Sequence, residues 1–170
     1  MNGSSQESSA LQELTQNVGG YSGYQDQTLR ERSDKQLRQY LIANIEGLIK
    51  SLQNVPAAAN AEDQPRLESL VTGTRRKLNT ICESLSSPTY TGVSFFTTTN
   101  ISDRLLAKLY AYEQTMLGEI DNLSEEIEAL NHNTLDKEIF EDHFLHIHDF
   151  IDNFNQALFE REATILGDEY

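Results

Sequence analysis

The chain has no tryptophan, a single cysteine, three prolines and no apolar run longer than a few residues in its 170 positions. With Cys82 alone, an internal disulfide cannot form and zinc sites built on cysteine are excluded. Runs such as Leu41-Ile42-Ala43 are far too short to cross a bilayer, so no membrane insertion is expected. The opening residues, MNGSSQESSA, lack a basic stretch and an apolar stretch, so no secretion signal is read and a cytoplasmic location is expected. No Gly-rich phosphate loop and no G-x-S-x-G elbow occurs, which leaves nucleophilic catalysis little to build on. Positive charge is also scarce. Lys and Arg number 13 against 27 Asp and Glu, a formal net charge of −14. Nucleic acid and anionic membranes both require the opposite sign, so neither is expected as a partner.

The negative charge is unevenly placed. Residues 1–112 hold 11 acidic and 11 basic side chains, whereas residues 113–170 hold 16 acids against only Lys137 and Arg161. The whole imbalance therefore lies in the last third of the chain. Residues 64–112 lean basic, and their Arg75-Arg76-Lys77 run is expected to pair with the acidic helices that follow it.

Apolar spacing predicts an all-α fold, an antiparallel four-helix bundle occupying residues 26–170. Leu37, Leu41, Ile45, Leu48 and Leu52 mark a helix over about 27–53. Pro56 and the Ala57–Asn60 run break it. Leu67, Leu70, Val71, Thr74, Leu78, Ile81 and Leu85 mark a second helix over about 61–85, with Asn60 as candidate N-cap. Cys82 lies on this stripe as a small buried hydrophobe. Leu105, Leu109, Tyr112, Met116, Ile120, Leu123, Ile127 and Leu130 form a heptad seam with one inserted step of four, predicting a third helix from 102 or 103 to about 130. Asn131–Thr134 reads as a tight turn in which Asn133 or Thr134 caps the fourth helix. That helix carries Phe140, Phe144, Ile147, Ile151, Phe154 and Leu158 and ends at Gly167.

Two segments fall outside this pattern. Residues 1–25, rich in Ser, Gln and Gly, read as a disordered tail, dispensable for folding, with at most a transient helical turn at Leu11–Leu14. Residues 86–100 form an unusually long loop between helices two and three. Their Pro88, β-branched residues and aromatic side chains oppose helix, and Phe95-Phe96 suggests a loop pinned to a surface.

Three groups of side chains suggest chemistry. On a helix turning about 100° per residue, with Phe140 at the centre of the apolar face, His143 falls at about 300°, His146 at about 240° and His148 at about 80°. A three-His site is therefore excluded, while Asp142, His143 and His146 remain a candidate divalent-metal set. The pairs Glu125-x-x-Glu128 and Asp149-x-x-Asp152 are arranged in a way similar to the paired acidic motifs with which all-α nucleotide pyrophosphohydrolases hold Mg²⁺. That resemblance implies a metal-dependent enzyme as the alternative reading, but Asp149 lies near 180° and points to solvent. Finally, Glu138, Asp142 and Asp149 share the outer face of helix four, and together with Phe150, which widens the seam, they are the candidate partner residues. The expected function is a non-enzymatic helical interaction or scaffold domain with an acidic C-terminal hairpin, no cofactor, and a protein partner, most naturally a basic one. Any homo-oligomer is expected to run through helices three and four, whose seam Tyr110, Phe150 and Phe159 widen. Glu113 is the one acidic side chain close to a seam.

Overall fold

The computed structural model describes residues 3–55, 60–132 and 136–167. Helices and no strand make up the regular structure of the described residues, but the helices number five rather than four. These are α1 (Gly3–Asn17), α2 (Arg30–Leu52), α3 (Gln64–Ser86), α4 (Asp103–His132) and α5 (Lys137–Leu166). The Pro56 break and the Asn133–Thr134 cap lie outside the described residues.

Burial follows the apolar stripes. Leu37, Leu41, Ile45 and Leu52 on α2, Leu67 and Leu78 on α3, Leu109, Met116 and Ile127 on α4, and Phe140, Phe144 and Phe154 on α5 join one core. The most extensive packing is between α4 and α5, followed by α2 with α3; α2 also packs on α4 and α3 on α5. Cross-helix hydrogen bonds give the directions. Glu126 meets His143, Glu119 meets Asn153 and Glu113 meets Arg161, so α4 and α5 run antiparallel. Arg38 near the start of α2 donates to the Leu85 carbonyl near the end of α3, so that pair is antiparallel too. The Ser102 hydroxyl accepts the Leu105 amide at 3.3 Å and so caps α4. The start of α3 lies three residues after the expected one, with Pro65 in its first turn, where a missing N–H costs nothing.

The N-terminal segment corrects the expected disordered tail. Its helix, α1, packs on α4. Ala10, Leu14 and Val18, spaced four apart, bury one stripe, and Tyr21 and Tyr24 follow them into the core. Polar composition hid a stripe of only three side chains. Glu13 adds a hydrogen bond accepted from Gln114 of α4. The turn after α1 needs glycine at position 23. Its φ is +75°, and a Cβ there would stand 2.7 Å from the Tyr110 hydroxyl.

The long loop is pinned as its aromatics suggest. Phe95 and Phe96 are buried on a short 3-10 turn, with their rings edge to face at 5.0 Å. Arg30 at the start of α2 reaches across to the carbonyls of Phe95 (2.9 Å), Thr98 (2.6 Å) and Tyr24 (2.7 Å). One cation thus ties the segment after α1 and the 86–100 loop to the same end of α2.

Candidate functional site

The densest polar constellation lies at that end, centred on Arg161 of α5. Its guanidinium donates from Nε to Glu113 Oε1 (2.8 Å) and from Nη1 to the Tyr90 hydroxyl (3.0 Å). From Nη2 it donates to the Tyr24 hydroxyl (2.9 Å) and to Asp34 Oδ1 (2.7 Å). Tyr24 in turn donates to Glu113 Oε1 at 2.5 Å, Tyr21 donates to Glu113 Oε2, and Tyr90 donates to Asp34 Oδ1 at 2.7 Å. Arg38 completes the Asp34 carboxylate, donating from Nε to Oδ2 at 3.0 Å. Arg161 is 1% exposed and Glu113 0%. The cluster is closed to substrate, and its chemistry is that of a lock holding the post-α1 segment, α2, the 86–100 loop, α4 and α5 together.

Its electrostatics are those of charges that only one another can stabilise. Burial raises the Glu113 carboxyl above its ordinary value, against the opposing pull of Arg161 and the two tyrosine donors. Burial also pushes Asp34 up, but the charge of Arg161, with hydrogen bonds from Arg161 and Tyr90, outweighs it and leaves the carboxyl below its ordinary value. Burial raises the phenols of Tyr21 and Tyr24 far above normal and Tyr90 to about 12. Arg161 loses to burial but gains more from Tyr24, Glu113, Tyr90 and Asp34, and so stays charged.

The candidate metal residues do not assemble as expected. His143 Nδ1 lies 2.5 Å from Glu126 Oε2, and His146 Nδ1 lies 3.2 Å from Glu126 Oε1. The two histidines therefore converge on α4, while Asp142, about 100° further round α5 from His143, is exposed. Among the described residues no group of three or more His, Cys, Asp or Glu is placed to hold a metal ion. Burial raises the Cys82 thiol, which favours its protonated form over a nucleophilic thiolate.

The outer face of α5 is different in kind. Glu138, Asp142 and Asp149 are exposed on it, as their spacing implies. Phe150, the fourth partner candidate, is half-buried and packs against the core, so it does not contribute to this exposed face. The large hydrophobic side chains exposed among the described residues are Ile139, Leu145, Phe159 and Leu166, all on α5. Leu145 is 62% exposed and Phe159 58%. Leu145, Phe159 and Leu166 stand at spacings of fourteen and seven residues, so they share one stripe with Asp152 between them. Glu138, seven residues before Leu145, lies on the same stripe; Asp142, Asp149 and Glu160 run alongside it, while Ile139 lies on the opposite flank. The seven-residue interval was readable in the sequence, but it was overshadowed by the stronger inward stripe on the same helix. On the α3 side, Arg66 reaches Glu141 at 3.0 Å, whereas the expected pairing of Arg75-Arg76-Lys77 with the acidic helices is not formed among the described residues, where Arg75 Nε is buried without a hydrogen-bond partner.

Comparison with protein-family models, with curated proteins and with solved structures finds no match for the chain. No helix among the described residues is long and apolar enough to cross a membrane.

Proposed function

We propose that the protein is a non-enzymatic, cytoplasmic helical interaction domain, in which α2 to α5 act as an antiparallel four-helix bundle braced by α1. The outer face of α5 docks a basic amphipathic helix of another protein. One observation carries the reading: every large hydrophobic side chain exposed among the described residues belongs to α5, and three of them share a stripe that carboxylates interrupt and border. Isolated exposed apolar residues are ordinary, whereas a row in helical register with charge on its flank is the form a helix-binding surface takes. A second copy docking through the same face is disfavoured. A two-fold interface through this face would bring two copies of the same acidic surface together. The expected partner therefore carries Lys or Arg beside its apolar stripe.

Site-specific photo-crosslinking in the native host tests this directly. A photoreactive residue at position 145 or 159 should capture one defined protein, and Phe159→Glu should abolish capture from 145. The same probe at Glu68, exposed on α3, should capture nothing. Equal capture from all three positions would refute a dedicated face.

A further inference from the structure

A cavity of about 250 Å³ opens beside the Arg161 cluster, between the first turns of α2 and the 86–100 loop. One wall is apolar, formed by Pro88 and Phe96, with Tyr90 stacked on Phe96 at 6.1 Å and 22° between the ring planes. This wall is held in place from behind, because the Tyr90 hydroxyl is fixed by Arg161 and Asp34. The opposite wall brings Lys35 and Arg38, one turn apart on α2. Arg38 uses Nε on Asp34 and Nη1 on the Leu85 carbonyl, so its fork is oriented, while Nη2 has no partner among the described residues. Lys35 is exposed and bonds to nothing among them. Of the two acids at the cavity, Asp34 has both oxygens occupied by Tyr90, Arg161 and Arg38, and Glu31 lies exposed at the rim.

An oriented guanidinium edge beside a free ammonium, facing a preformed aromatic and proline wall, suits one chemical class. We propose that the cavity binds a small carboxylate with a flat apolar body, its carboxylate on Arg38 Nη2 and Lys35 and its body against Pro88 and Phe96. The volume is below the range of drug-sized sites, about 300–1,000 Å³, so the ligand is a single-ring or short-chain acid. This site is separate from the α5 face and stands or falls independently of it.

The full-length protein labelled with ¹⁵N would be titrated with benzoate, benzyl alcohol and benzylamine while amide shifts are followed. Benzoate should shift the amides of Lys35, Tyr90, Thr91 and Gly92 saturably. Lys35→Gln, at an exposed side chain with no structural bond, should weaken benzoate about three- to five-fold while leaving the spectrum otherwise native. Arg38→Gln should weaken it further, and the Lys35 variant keeps the test open if that second substitution disturbs folding. Benzyl alcohol and benzylamine should bind more weakly than benzoate. The proposal is overturned if benzoate gives no saturable shifts at these amides, if benzylamine or benzyl alcohol binds as well, or if Lys35→Gln leaves benzoate affinity unchanged.

Discussion

Arg161 is one of only two basic residues in the last 58 positions, and the structure spends it entirely on the interior. It is the counter-charge for both Glu113 and Asp34, so its removal strands two buried carboxylates. Arg161→Met should cost about 3–5 kcal/mol in urea unfolding, the usual cost of breaking a buried pair from one side. Arg161→Lys should recover little, since an ammonium cannot reproduce a fork that donates to four residues. Unfolding of the lysine variant at the wild-type urea midpoint would show that charge alone suffices. The phenols add a pH dependence whose sign is fixed. Tyr21, Tyr24 and Tyr90 have folded pKa values raised above the ordinary 10, with Tyr90 at about 12. Their stabilisation is complete below pH 10 and is lost as pH rises through the folded values. Far-UV circular dichroism should therefore collapse cooperatively above pH 10, together with the absorbance of tyrosinate. Phenols that all ionise near pH 10 with the helices intact would contradict the hydrogen-bonded cluster. Little of this was legible in the sequence. Glu113 stood close to a seam, but the partners of Arg161 lie 48, 71, 127 and 137 residues away, and pattern reading has no access to such pairings.

Helices, by contrast, were largely legible. The stripes on α2, α3, α4 and α5 place those elements within about three residues of their observed ends, because each carries at least five apolar positions at helical spacing. The element that apolar spacing did not announce is α1. Its stripe is short and its composition is that of a linker; Ala10, Leu14 and Val18 seat it on α4, and Tyr21 and Tyr24 just beyond it supply donors to Glu113. Deleting residues 1–25 should therefore lower stability by about 3 kcal/mol or more, since hydrogen bonds to a charged group contribute about 1.5–3 kcal/mol each. Differential scanning calorimetry checks this, and a truncated chain melting within a few degrees of the full one would return the segment to the status of a tail. The 86–100 loop was legible only as an exception. Its aromatics announced an anchorage, but not that Arg30 and Arg161 would provide it.

At the scale of the molecule, the charge asymmetry seen in the sequence acquires a location. The interior absorbs Glu113 and Asp34, and the exposed acids of α5 remain as a field beside an apolar stripe. That field should act on encounter more than on the lifetime of a complex, because exposed charges steer diffusing partners and are screened by salt. The most direct measurement is the association rate constant of the partner captured through position 145, followed from about 50 to 500 mM salt as the Debye length shrinks. It would be made for the wild type and for the triple variant Glu138→Gln, Asp142→Asn, Asp149→Asn, whose side chains are exposed and outside the core. The account predicts a rate that falls steeply with salt for the wild type and only weakly for the variant, with dissociation little changed in either. An association rate indifferent to both salt and the triple substitution would contradict it.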